Sequence, residues 1–107
     1  MRRKEADFAT PGAINAAAHL GALVRQARLA RSWTQQGLAE RARISLATLK
    51  RMESGAVEVS LGGWLAVFES LGLLPLFSML RDPASAALLD TTRAKRARSG
   101  KRDDLDF

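Results

Sequence analysis

The side chains able to do chemistry in this sequence are few in kind. There is no cysteine and a single histidine, His19. The first absence removes disulfide frameworks, thiolate metal sites and cysteine nucleophiles together, and it fits a reducing cytosol. One imidazole makes metal ligation equally poor, and no phosphate loop or paired nucleophile and base is visible. The chemistry on offer is positive charge. Residues 11–81 hold eight Lys/Arg (Arg25, Arg28, Arg31, Arg41, Arg43, Lys50, Arg51 and Arg81) against four acids (Glu40, Glu53, Glu58 and Glu69), in a chain of formal net charge +6. A polyanion is the partner class this implies, with no enzyme activity, cofactor or metal expected.

"RARISLATLKRMESG", residues 41–55, shows how that charge is presented. Ser45 is a good helix N-cap, and Gly55 can take the left-handed conformation that ends a helix. At 100° per residue Leu49 and Met52 point one way, while Ala47, Lys50, Arg51 and Ser54 point the other. The helix is two-faced, and its outward face is small and cationic.

The elements that must hold this helix follow from periodicity. Leu20, Leu23, Val24, Ala27 and Arg28 fall on one helical stripe, predicting a first helix over residues 14–31. Thr10 and Pro11 suit a helix start, although Gly12 works against one there. Thr34 can cap a second, shorter helix to about Ala42 with Leu38, Ala39 and Ala42 inward, and Gly37 is a defect in it worth about 1 kcal/mol. Arg43 and Ile44 make a tight turn into the third helix. Ser60 is a cap for a fourth, in which Leu61, Trp64, Leu65, Phe68 and Leu71 bury one face before Gly72 stops it. Trp33 and Trp64 read as packing residues, and His19 has no ligand set around it.

Two short helices joined by a tight turn inside a basic helical domain form a helix-turn-helix, whose second helix enters the major groove of DNA. Here the sequence also resembles a family. "LGALVRQARLARSWTQQGLAERARISLATLKRMESG" followed by "SLGGWLAVFESLG" is similar to the phage repressor and Cro type of helix-turn-helix domain, the XRE family, over residues 20–72. The motifs "TQ..LA", "IS...L" and "ME.G" carry the likeness. The resemblance implies that Gln35 clamps a phosphate at a helix N-terminus and that Ser45 and Thr48 touch the DNA backbone. It places Leu46, Ala47, Lys50 and Arg51 at base edges or nearby phosphates. It also implies a partly buried salt bridge between Arg28 and Glu53 that ties the first helix to the end of the third.

Three positions depart from the family pattern. Arg43 stands where a glycine is usual, so the turn is either strained or uses Arg43 on a phosphate. Gly37 replaces an acid that would complete a capping box. Leu46 and Ala47 stand where polar base readers are usual; they can pack on thymine methyl groups but cannot make bidentate hydrogen bonds. Arg51 is then the best candidate for base reading, favouring guanine.

After the fourth helix, "LLPLFSMLR" is short, apolar and interrupted by Pro75, which fits an extended edge segment better than a helix. With no second strand in the chain, pairing with its copy in a dimer is expected, through Leu74, Leu76, Phe77, Met79 and Leu80. A chain of 107 residues has a small core and would gain from such a second subunit. The segment is similar to that of HipB-like antitoxins, in which it forms a strand paired across the dimer. That resemblance implies a HipA-like kinase toxin as partner and autorepression of a shared operon. A stand-alone repressor, a protein-interaction module with an incidental basic face, and an RNA binder are the alternatives; the third helix offers no aromatic residue for base stacking.

The fold class expected is all-α: a repressor-like domain of four to five helices with a short C-terminal β-strand paired across a homodimer. Its parts are a flexible N-terminal arm (1–10), the helix-turn-helix domain (11–72), the dimerisation strand (73–81) and a mostly disordered basic and acidic tail (82–107). Within the tail "DPASAALLD" suits one weak helical turn or two. The basic run, residues 93–102, reads more readily as a solvated tail than as a defined contact, and "DDLDF" as a bland acidic end than as a docking peptide. No apolar run approaches the roughly 20 residues that span a bilayer, and Glu5 and Asp7 follow the basic start where a signal peptide would be apolar. The expected location is the bacterial cytoplasm, on the nucleoid when bound to DNA.

Overall fold

The computed structural model describes residues 8–103, with side chains to residue 98. Six helices occur among the described residues: α1 (Pro11–Ala30), α2 (Gln35–Ala42), α3 (Leu46–Glu53), α4 (Leu61–Ser70), α5 (Pro75–Ser78) and α6 (Pro83–Asp103). The chain divides into two compact units, Met1–Pro75 and Leu76–Phe107.

Helices α1 to α4 start in the same way. The hydroxyls of Thr10, Thr34, Ser45 and Ser60 accept the backbone N–H of Ala13 (3.1 Å), Gly37 (2.9 Å), Thr48 (3.0 Å) and Gly63 (3.2 Å). Each bond satisfies a donor that the helix cannot pair internally. The Thr10 cap starts α1 at Pro11, earlier than the Leu20–Arg28 stripe predicts, because Pro11 occupies the first turn, where no N–H is needed.

Packing follows the apolar stripes. α1 lies against α3, and α2 contacts both α3 and α4. Val24, Leu38, Leu49, Met52, Val67 and Phe68 are fully buried, and the Trp64 ring meets Phe68 edge-on with centroids 6.4 Å apart. Gly21 is buried at the α1–α3 crossing, where a Cβ would collide with the carbonyl oxygen of Met52. The missing side chain is what lets α1 approach the end of α3.

The C-terminal unit differs from the expectation. Residues 73–81 contain the single helical turn α5, and no strand occurs among the described residues. The cause is local: Pro75 suits a first helical position, and a lone strand would leave its backbone groups unpaired. α6 covers much of the stretch read as disordered. Asp82 starts it, accepting from Ala84 N (3.1 Å) and Ser85 Oγ (2.7 Å), bonds that hold its carboxyl below the ordinary range, the Ser85 bond most. Ala, Leu, Lys and Arg then supply helix propensity through residue 98. The expected arm over residues 1–10 falls outside the described residues up to residue 7, as does "DDLDF" beyond Asp103.

Candidate nucleic-acid interface

The geometry of α3 begins with its cap. Ser45 Oγ accepts from Thr48 N and donates to Thr48 Oγ1 at 2.8 Å, so the two hydroxyls expected on the DNA backbone orient each other at the helix start. Beyond them Leu49 and Met52 are fully buried, while Ala47, Lys50 and Arg51 are exposed. Leu46 is half-buried, which narrows its use as a contact. At the far end Gly55, at φ 85°, turns the chain away, packed tightly on the backbone of Ala18.

A buried ion pair fixes where this helix sits. Arg28 donates from Nε to Glu53 Oε2 (2.7 Å) and from Nη2 to Glu53 Oε1 (3.0 Å), and its Nη1 donates to the Trp33 carbonyl (2.8 Å). The hydrogen bond to Glu53 is the main influence raising the guanidinium pKa; burial opposes it, and the carboxylate charge adds to it. Gln35 Nε2 donates to Glu53 Oε1 at 3.2 Å. The side chain expected to clamp a phosphate therefore braces the same carboxylate and leaves its amide oxygen for other use. α1, the start of α2 and the end of α3 meet at Glu53.

Counting engaged cations locates the basic face. Among the described residues of the first unit, Arg28 is in the ion pair and Arg31 donates to the Ala27 and Leu71 carbonyls (both 2.7 Å). Arg41 lies over the Trp33 ring, 4.0 Å from its centroid. Arg25, Arg43, Lys50 and Arg51 have no such partner among the described residues. Three of these four are on α3 or the turn before it. Arg43 is exposed with φ 57° and ψ 41°, a left-handed conformation that glycine adopts without steric strain.

Sequence reasoning missed the Arg31 bridge and the Arg41–Trp33 stack. Neither has a local signal: the Leu71 carbonyl is 40 residues from Arg31, and Trp33 and Arg41 are too far apart in sequence for helical spacing to pair them. The residues expected at a dimer contact, Leu74, Leu76, Phe77, Met79 and Leu80, fall in and around α5. Leu76 is 44%, Met79 70% and Leu80 75% exposed, whereas Leu74 and Phe77 are half-buried.

The helix-turn-helix domain family matches residues 19–75, just over half of the chain. The chain belongs to this helix-turn-helix family. No curated protein and no solved structure matches it. The match spans α2 and α3, two short helices joined by a tight turn, the arrangement that gives the family its name. No described helix is long and apolar enough to cross a membrane.

Proposed function

We propose that this helix-turn-helix protein is a sequence-specific transcriptional repressor of the phage repressor and Cro type that binds double-stranded DNA as a homodimer. The observation that carries this reading is the exposed face of α3, where Ala47, Lys50 and Arg51 stand clear on a helix anchored by Leu49, Met52 and the Glu53 ion pair. Ala47 permits close approach, and the two cations supply charge to a groove lined with phosphates. In a two-fold dimer, two such helices read half-sites of an inverted repeat about one helical turn apart.

The finer proposal is that the protein is the antitoxin of a HipBA-like module, binding a HipA-like kinase toxin and repressing their shared operon from the bacterial cytoplasm. It rests on the resemblance of residues 73–81 to the dimerising segment of HipB-like antitoxins. The helical turn at Pro75–Ser78 favours a second reading, a stand-alone repressor of the same family. A strand shared across the dimer would require α5 to unwind, an exchange that pairing with a second copy could drive.

Selection of bound duplexes from a random pool by the full chain tests the function. An enriched inverted repeat is expected, with affinity falling steeply as salt rises. Equal retention of all duplexes would refute sequence-specific repression. Co-purification from nuclease-treated cells tests the toxin: a kinase-like partner that survives nuclease supports the antitoxin reading, and its absence leaves the stand-alone repressor.

A further inference from the structure

The densest charge in the chain lies outside the helix-turn-helix. Residues 93–102 carry Arg93, Lys95, Arg96, Arg98, Lys101 and Arg102 with no acid between them. The structure places this run in the second half of α6. Arg93, Lys95, Arg96 and Arg98 are all exposed. Among the described residues the first three make no ion pair or side-chain hydrogen bond, and Arg98 donates only to the Ala94 carbonyl one turn back, at 3.4 Å.

Their distribution around the helix decides what they suit. Taking Arg93 as 0°, Arg98 lies at about 140°, Lys95 at about 200° and Arg96 at about 300°. The charge therefore points to every side, with Ala94 and Ala97 between. A helix that lies on a membrane surface needs an apolar face opposite its cations, and this half of α6 has none. A binder of single strands needs aromatic platforms, and residues 83–103 contain no Phe, Trp or Tyr. A duplex groove does fit: the major groove is wide enough to admit a helix and is walled by a phosphate row on each side.

Like charges also recur at helical spacing. Arg93 and Arg96, Lys95 and Arg98, and Arg98 and Lys101 are three apart, and Arg98 and Arg102 are four apart. Such pairs each weaken the helix slightly when no counter-charge is near. Phosphates on both sides would supply it, so contact with DNA and helix formation should reinforce each other.

We propose that the second half of α6 is a further duplex-DNA contact, a helix that lies between phosphate rows and adds affinity independent of sequence. This rests on the protein being a DNA binder but concerns a different element from α3. The test uses the full chain in three forms: wild type, a neutralised variant (Arg93→Gln, Lys95→Gln, Arg96→Gln and Arg98→Gln), and a helix-broken variant (Ala94→Pro with Ala97→Pro). Each is titrated with the selected duplex and a scrambled duplex across a salt series. The neutralised variant should lower the slope of log affinity against log salt by about 3 to 4, since each phosphate contact contributes about 0.9. It should weaken both duplexes by the same factor. The helix-broken variant, with charge intact, should also lose part of the slope, and amide exchange over this segment should slow on adding DNA in the wild type but not in either variant.

An unchanged slope in the neutralised variant would overturn the inference, as would a loss confined to the selected duplex. Full binding by the helix-broken variant would show a charged tail and overturn the groove-seated helix. If the wild type binds no duplex at all, both this inference and the repressor reading fall. If only the neutralised variant behaves as wild type, the repressor reading stands alone.

Discussion

Arg28 and Glu53 are 25 residues apart in sequence and meet as a fork, with Nε to Oε2 at 2.7 Å and Nη2 to Oε1 at 3.0 Å. Both side chains are less than a tenth exposed. The guanidinium has a third acceptor in the Trp33 carbonyl, and the carboxylate a third donor in Gln35, so neither charge is left short of partners. The pair sets the end of α3 relative to α1 and through it the aim of Lys50 and Arg51.

Removing one partner should therefore leave the other buried and unpaired. Arg28→Ala is expected to cost about 3–5 kcal/mol of stability, the usual penalty for breaking a buried pair. Urea denaturation measures it. Arg28→Lys should rescue only part, because an ammonium cannot reproduce the two-pronged geometry. A loss below about 1 kcal/mol would mean that water reaches Glu53 and the pair behaves as a surface bridge.

Two glycines should respond to alanine with opposite signs. At Gly21 a Cβ would run into the Met52 carbonyl, so Gly21→Ala should destabilise by about 1–3 kcal/mol through overpacking. At Gly62, in the first turn of α4, a Cβ meets nothing within 4 Å, and Gly62→Ala should stabilise by up to about 1 kcal/mol through helix propensity. Melting temperatures of the two variants would settle the matter. A Gly21→Ala protein as stable as wild type would show that α1 can move off α3.

These residues also show what was legible in the sequence. Caps and stripes are local, so Thr34, Ser45, Ser60 and most inward residues of α2, α3 and α4 could be read from neighbours three and four positions away. Leu61, expected on the buried face, is instead 65% exposed in the first turn of α4, and Val67 is buried. Gly55 was legible because ending a helix in the left-handed region is a property of one residue. The role of Gly21 was not, since its cause is a carbonyl from another helix. Gln35 turned inward to Glu53 for the same kind of reason. Residues 73–81 were ambiguous because an apolar run with a proline fits both a strand end and a helix start, and only partner strands distinguish them. For α6, the charged, polar composition pointed to disorder, while the propensity of Ala, Leu, Lys and Arg was enough for a helix.

Arg43 joins stability to binding. A non-glycine residue at φ 57° carries a cost of about 1 kcal/mol, so Arg43→Gly should stabilise the fold by that amount. If the side chain also reaches a phosphate, the same change should reduce the salt slope of binding by about 1. Denaturation and salt-dependent titration of one variant separate the two effects. Greater stability with an unchanged slope would make Arg43 a strained turn residue and no more.

The proposed dimer has its own test in the exposed apolar residues Leu76, Met79 and Leu80. Replacing all three by serine should shift the protein toward monomer in analytical ultracentrifugation and reduce affinity for a complete inverted repeat more than for a half-site. The core residues of the helix-turn-helix are untouched by these changes, so its melting in isolation from dimer formation should hold. A dimer of wild-type strength would place the interface elsewhere.

Arg51 carries the burden of specificity in the repressor reading. Its neighbours on the exposed face are Ala47, which can offer only a methyl contact, and Lys50, a point charge suited to phosphate. A guanidinium can grip two acceptors at once, and guanine presents O6 and N7 side by side in the major groove. Arg51→Ala should weaken the selected duplex by about 1–3 kcal/mol and relax preference at one base pair in each half-site. Repeating duplex selection with the variant reads both quantities. An equal loss on selected and scrambled duplexes would reduce Arg51 to a phosphate contact, and the burden of discrimination would then pass to DNA shape, since Leu46 is half-buried and Ala47 has no hydrogen bond to offer.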